Sequence, residues 1–225
     1  MSVSLQLQAV RQRLANACAS SGRPTDDVRL LAVSKTKPLS MVLEAYDQGQ
    51  RHFGENYLQD ALEKIEASPH DDIVWHFIGA IQSNKTKTIA ENFAWVHTLE
   101  REKIAQRLND QRPTSLPPLK VCIQVNISAE VAKSGVSLAE LPALAAKVAA
   151  LPNLELVGLM CIPAAKQTEA TQSQAFAAMV AARNQLQTQH ATLTELSMGM
   201  SGDLDLAIAH GTTMVRIGTD IFGAR

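Results

Sequence analysis

The chain has 225 residues, 46% of them hydrophobic and 19% charged, which is the balance of an ordinary folded protein with length for one large core or two smaller ones. Its 21 basic and 22 acidic side chains leave a net charge of −1, so there is no general attraction to nucleic acid or to an anionic membrane, and any positive site must be local. The three cysteines, Cys18, Cys122 and Cys161, lie far apart without CxxC or histidine-pair spacing, which argues against a disulfide framework or a zinc site and for a reducing cytoplasm.

The chain opens without the basic start and apolar run of a secretory signal, and no later stretch reaches the ~20 apolar residues of a membrane span. Leu7, Val10, Leu14 and Ala17 recur at helical spacing between polar residues, which predicts an amphipathic helix over 5–19 that stops at the Ser21-Gly22-Arg23-Pro24 turn. Short apolar runs then alternate with helical patterns. Strands are expected at 29–34, 52–54, 74–78, 95–98, 120–125, 155–160, 195–197 and 214–217, and helices at 40–48, 57–67, 85–92, 101–109, 138–150, 169–189 and 203–210.

Strands that alternate with helices pair in parallel, because each return requires a crossover, and eight such units close a (β/α)8 barrel. A doubly wound open sheet is the competitor. Polar and glycine-bearing turns follow almost every strand here, at Lys35, Asn56, Gly79, Asn126, Pro163, Gly199 and Gly218, whereas an open sheet gathers them at one switch point. The proline-bearing connector at 111–118 is too short for a linker. The expectation is one α/β domain over 1–225, a single barrel with an extra N-terminal helix.

Two regions carry chemistry. Near the start, Lys35 ends an apolar strand in parity with Leu31 and Val33, so its amine points into the barrel mouth if those two face inward. Burial or a neighbouring cation such as Lys37 would lower its pKa and make it a nucleophile toward an aldehyde. The plainer reading is a lysine that snorkels at a strand end. Near the other end, LSMGMSGD at 196–203 and VRIGTD at 215–220 each place a glycine turn after a strand. Backbone donors at Ser201 and Gly202, ahead of the helix expected at 203–210, and at Gly218 and Thr219, suit a phosphate. A phosphate cradle with a strand-end lysine suggests a phosphorylated aldehyde cofactor.

Arg216 interrupts an apolar strand and needs an acceptor. Either Asp203, Asp205 or Asp220 pairs with it, or its guanidinium donates to a pyridine nitrogen, which it would keep unprotonated. Asn56 either caps the helix that begins at Tyr57 or touches a ring in the mouth. Lys85 and Lys87 could attract an anionic substrate or simply begin a solvated helix. His52, His76 and His97 occupy strand positions without metal-ligand spacing and read as hydrogen-bonded core residues.

AVSKTKP at 32–38, FGENY at 53–57, WHFIG at 75–79 with QSNK at 82–85, GLMCIP at 158–163, LSMGMSGD at 196–203 and VRIGTDIFG at 215–223 together resemble the pyridoxal phosphate homeostasis proteins. The likeness covers nearly the whole chain. It implies an alanine-racemase-like barrel of fold-type III without the C-terminal β-domain, with Lys35 as the lysine of an internal aldimine. Arg216 then lies beside the pyridine nitrogen, with Ser201, Gly218 and Thr219 on the phosphate. Asn56 and Met200 fall where the family lines the cofactor, and Ser197 and Gly202 are neighbours.

The resemblance further implies a non-catalytic protein that holds pyridoxal 5'-phosphate and buffers it or delivers it to apo-enzymes. Fold-type III racemases take a second acid–base tyrosine from a partner's β-domain. Only nine residues follow Arg216, so both that tyrosine and that interface are expected to be missing, and a monomer is expected. The competing readings are a pyridoxal-phosphate-dependent racemase or decarboxylase using Tyr57 or a water, and a lysine-dependent aldolase acting on a sugar phosphate.

Overall fold

The computed structural model describes residues 2–128, 134–164 and 167–224. Eight parallel strands close a barrel in chain order: β1 (Arg29–Val33), β2 (His52–Glu55), β3 (Val74–Phe77), β4 (Trp95–Leu99), β5 (Leu119–Gln124), β6 (Leu154–Met160), β7 (Glu195–Ser197) and β8 (Met214–Ile217). Closure is made by β8 on β1, where Leu31 lies beside Arg216 and Ala32 beside Ile217.

The helices are α1 (Val3–Ser20), α2 (Leu39–Asp47), α3 (Leu58–Ala67), α4 (Thr86–Asn92), α5 (Glu102–Gln111), α6 (Leu141–Ala149), α7 (Glu169–Gln187), α8 (Leu204–Ala209) and α9 (Thr219–Phe222). Ser2 caps α1, and Thr168 caps α7 by accepting from the Thr171 amide.

Alternation along each strand divides the core in two. One face of every strand packs against the helix ring, where Phe53, Phe93, Ile89, Leu108 and Phe176 are fully buried or nearly so. The other face fills the barrel with a smaller cluster of Leu31, Trp95, Cys122, Val157, Met160 and Met214. Leu31 and Val33 point inward, which puts Lys35 on the cavity side as its parity requires.

Three expectations about the elements need correction. The helix expected over 203–210 is only the six residues of α8, because Asp203 turns back and accepts from the Met200 amide at 2.6 Å. The helix expected from 138 begins at Leu141. Residues 137–140 instead close a reciprocal pair in which the Ser137 hydroxyl donates to Glu140 at 2.6 Å and the Glu140 amide donates back to it at 3.3 Å. The short helix α9, directly after β8, was not expected at all.

Candidate functional site

A cavity of about 290 Å³ opens at the C-terminal ends of the strands, the end at which barrel sites are built. Lys35, Asn56, Met200, Ser201, Arg216, Gly218 and Thr219 all line it, with Gly202 beside them. Residues separated by some 180 positions in sequence thus meet around one space. Ser197 does not line the cavity. It is fully buried beneath it and touches Arg216.

Lys35 lies two residues beyond β1, half-buried, with Lys37 also on the lining. The next residue, Thr36, has φ 62°, a left-handed conformation that costs a β-branched residue roughly 1–2 kcal/mol. A network that runs from the surface at Asp60 to the buried Glu55 holds the turn against that strain. The Thr36 amide donates to Asp60 at 3.1 Å, Lys64 donates to Asp60 at 2.9 Å and to Glu55 at 2.8 Å, and the Ser34 hydroxyl donates to Glu55 at 2.6 Å. Lys64 also donates to the Ser34 carbonyl at 2.9 Å, so both flanks of Lys35 are tied to α3.

Burial pushes the Glu55 carboxyl up from the usual range, while Lys64 and Ser34 pull it back. None of Ser34, Glu55, Asp60 and Lys64 was singled out from the sequence. The available signals were the glutamate of FGEN and the i, i+4 pair of Asp60 with Lys64.

Asn56 does not cap α3; the cap position is Tyr57, which makes no side-chain bond there. The Asn56 side chain lines the cavity instead, and its buried Oδ1 has no hydrogen-bond partner among the described residues. Its backbone is fixed by close approach to Gly79, where a Cβ would come within 2.0 Å of the Asn56 carbonyl oxygen, so only glycine fits.

Across the cavity, Gly199 at φ +100° launches the loop that carries Met200, Ser201 and Gly202. The amides of Ser201, Gly202 and Thr219 donate to nothing among the described residues. An unpartnered buried acceptor on one wall and unpaired amides on the other fit a polar ring with an anionic arm.

Arg216 is 5% exposed and has no carboxylate partner among the described residues. Asp205 and Asp220 are both engaged by Arg13, and Asp203 holds the Met200 amide, so of the two alternatives for Arg216 the paired aspartate is the one these contacts do not support. The guanidinium donates to the Ser197 carbonyl at 2.6 Å, the Ser197 hydroxyl at 2.9 Å and the Cys161 carbonyl at 3.0 Å. These neutral acceptors satisfy three of its five N–H groups, and the positive charge remains at the cavity floor.

Tyr57 is 49% exposed and lies outside the lining, and Lys85 and Lys87 are exposed around the start of α4. All three cysteines are buried and unpaired; burial raises the Cys161 thiol to about 12, so it is not a nucleophile at neutral pH. Among the described residues no group of histidines, cysteines and carboxylates is arranged to hold a metal ion.

The alanine racemase N-terminal domain model matches residues 5–225. The pyridoxal phosphate homeostasis protein of Escherichia coli K12 is 51% identical over 226 residues, covering 99% of this chain and 97% of that protein. PipY of Synechococcus elongatus, solved with PLP bound, is 37% identical with a TM-score of 0.82 and covers 93% of this chain and all of that one. An alanine racemase from Corynebacterium glutamicum shares the fold at 16% identity and TM-score 0.72, with 97% of this chain matched to 62% of the racemase. With that overlap and the barrel that carries it, the chain belongs to the pyridoxal phosphate homeostasis protein family, on the alanine racemase N-terminal domain fold.

Proposed function

We propose that this protein binds pyridoxal 5'-phosphate covalently through Lys35 and serves as its intracellular reservoir, buffering it or delivering it to apo-enzymes. One observation carries the reading. Lys35, Arg216 and the amides of Ser201, Gly202 and Thr219 face one cavity from different walls, and the related PipY was solved with PLP bound.

When bound, pyridoxal phosphate supplies an aldehyde carbon that a lysine amine can join and a phosphate that anchors the ring. Lys35 contributes that amine, and the braced turn at Thr36 sets its direction. Ser201, Gly202, Gly218 and Thr219 would hold the phosphate through backbone donors and the Ser201 and Thr219 hydroxyls. Arg216 would donate toward the ring nitrogen without yielding a proton, which would keep that nitrogen unprotonated and the ring a weak electron sink. Asn56 and Met200 would flank the ring.

The lining favours holding over turnover. Among the described residues it contains no histidine, tyrosine or carboxylate to serve as a second acid–base group opposite Lys35, and Tyr57 lies outside it. The cavity is assembled within one chain, which supports a monomer with a single domain over 1–225. Three unpaired cysteines suit a reducing cytoplasm. Among the described residues no helix is long and apolar enough to cross a membrane.

The decisive experiment is the absorbance of the protein with pyridoxal phosphate before and after borohydride, followed by peptide mapping. A fixed adduct on Lys35 that disappears in Lys35→Ala is expected. An adduct at another lysine, or one that persists at this site in Lys35→Ala, overturns the reading. Lys35-dependent exchange of an amino acid's Cα hydrogen in deuterated water would instead establish an enzyme.

A further inference from the structure

Below Arg216 the barrel is crossed by polar side chains that the binding reading does not use. His52, His76 and His97 come one each from the neighbouring strands β2, β3 and β4, and their rings touch in series. His52 Nδ1 is 2.9 Å from His76 Nε2, and His76 Nδ1 is 2.9 Å from His97 Nε2. His97 Nδ1 is 2.8 Å from the Ser197 hydroxyl, which lies 2.9 Å from Arg216 Nη1. His76, His97 and Ser197 are fully buried. His52, half-buried, reaches a basin at the opposite end of the barrel lined by Arg29, Trp95 and Lys120.

We propose that Ser197, His97, His76 and His52 form one directional hydrogen-bond column that positions Arg216, with each ring held in the Nε2–H form. The inference that this positioning serves pyridoxal phosphate rests on the function proposed above; the direction of the column does not.

The direction follows from donor counting. A guanidinium only donates, so the Ser197 oxygen accepts from it. That hydroxyl has one proton, and the His97 Nδ1 is its one other partner among the described residues, so Ser197 donates there. His97 then carries its proton on Nε2 and gives it to His76 Nδ1, and His76 repeats the step to His52. The opposite direction would leave a fully buried hydroxyl proton without an acceptor.

A one-way chain also requires neutral rings. Burial lowers His97 to about 3 and His52 to about 4, and it holds His76 well below its ordinary value. The charges that face the column are all positive: Arg216 at His97, and Arg29 and Lys120 at His52, with Arg29 itself 3.4 Å from Glu195. They oppose an imidazolium anywhere along it.

The test uses chain labelled with [15N]histidine, free of pyridoxal phosphate, at pH 7, with two-bond proton–nitrogen spectra to show which nitrogen carries hydrogen. Nε2–H in all three rings is expected; Nδ1–H in His97, or an imidazolium, overturns the column. Ser197→Ala should admit Nδ1–H in His97 and, through it, in His76 and His52. Unchanged rings mean that Arg216 and Ser197 do not set the direction.

His52→Leu, at the half-buried far end, is the independent variant should Ser197→Ala fail to fold. It is expected to leave His97 as Nε2–H, and release of His97 would place control at the wrong end. Pyridoxal phosphate should then bind Ser197→Ala about tenfold more weakly, the loss expected for a hydrogen bond to a charged group, with borohydride still fixing it on Lys35. Equal affinity overturns the positioning role. Failure to trap on Lys35 in the parent protein sinks the pyridoxal phosphate reading alone and leaves the tautomers standing.

Discussion

Among the described residues Lys64, Arg112 and Arg216 are buried cations, and the two nearest the cavity, Lys64 and Arg216, are held in opposite ways. Lys64, 4% exposed, is neutralised by Glu55 and Asp60 and spends its donors on the turn beside Lys35. Arg216, buried to the same degree, receives only neutral oxygens from Ser197 and Cys161. A buried cation matched by carboxylates is a brace, with its charge consumed inside the fold. Arg216, matched by dipoles on the cavity floor, keeps its charge available for whatever enters, and desolvation is the cost the fold carries for it.

The largest expected effect tests the brace. Lys64→Met leaves Glu55 buried without its cation and should lower stability by about 3–5 kcal/mol in urea unfolding. Because burial already favours the protonated Glu55, the deficit should be larger at pH 8 than at pH 5. A loss below ~1 kcal/mol at both would mean that the network does not brace the turn.

Acidification probes the region beneath Arg216. His97 has a folded value of about 3 against an ordinary 6.5, so between those limits the unfolded chain binds the extra proton and stability falls as pH falls. At ~1.4 kcal/mol per pH unit, roughly 2.7 kcal/mol should be gone by pH 4.5 from this ring alone. His97→Asn should flatten that slope, and an equally steep profile in the variant would assign the loss elsewhere.

Arg216→Gln tests the dipole-held cation directly. It retains donors for Ser197 and removes the charge, so urea unfolding should show only about 1–2 kcal/mol of destabilisation, well under that of Lys64→Met. Pyridoxal phosphate binding should suffer more than folding does. If the two substitutions cost the same stability, the contrast between brace and open charge fails.

The smallest effect is a gain. Thr36→Gly keeps the amide that donates to Asp60 while relieving φ 62°, and should stabilise by about 0.5 kcal/mol after the glycine's greater chain entropy is counted. A destabilised variant would show that the threonine side chain is itself needed.

Much of this was readable from residue order, and the misses share a cause. Eight apolar runs, almost all followed by a polar or glycine turn, are a strong barrel signal because strand alternation and crossover length are local properties. Lys35, Arg216 and the two glycine turns were legible for the same reason. The histidine column was not, because each strand contributes a single histidine and the contacts run between strands, so no spacing within one segment marks them. Lys64 looked like an ordinary helix lysine, since only the packed structure places Glu55 over it. Asp203 stands where the pattern places the start of a helix, whereas its carboxylate is used to tighten the turn before α8.

Arg13, on α1, engages Asp205 of α8 and Asp220 of α9, and donates to the Ser201 carbonyl at 2.8 Å. The opening helix therefore clasps the segment that frames the anionic end of the cavity. During synthesis the clasp waits on the ribosome for most of the chain's length before its counterparts emerge. A nascent barrel can display the lysine early, yet it has nothing with which to retain a phosphate until its two ends have met.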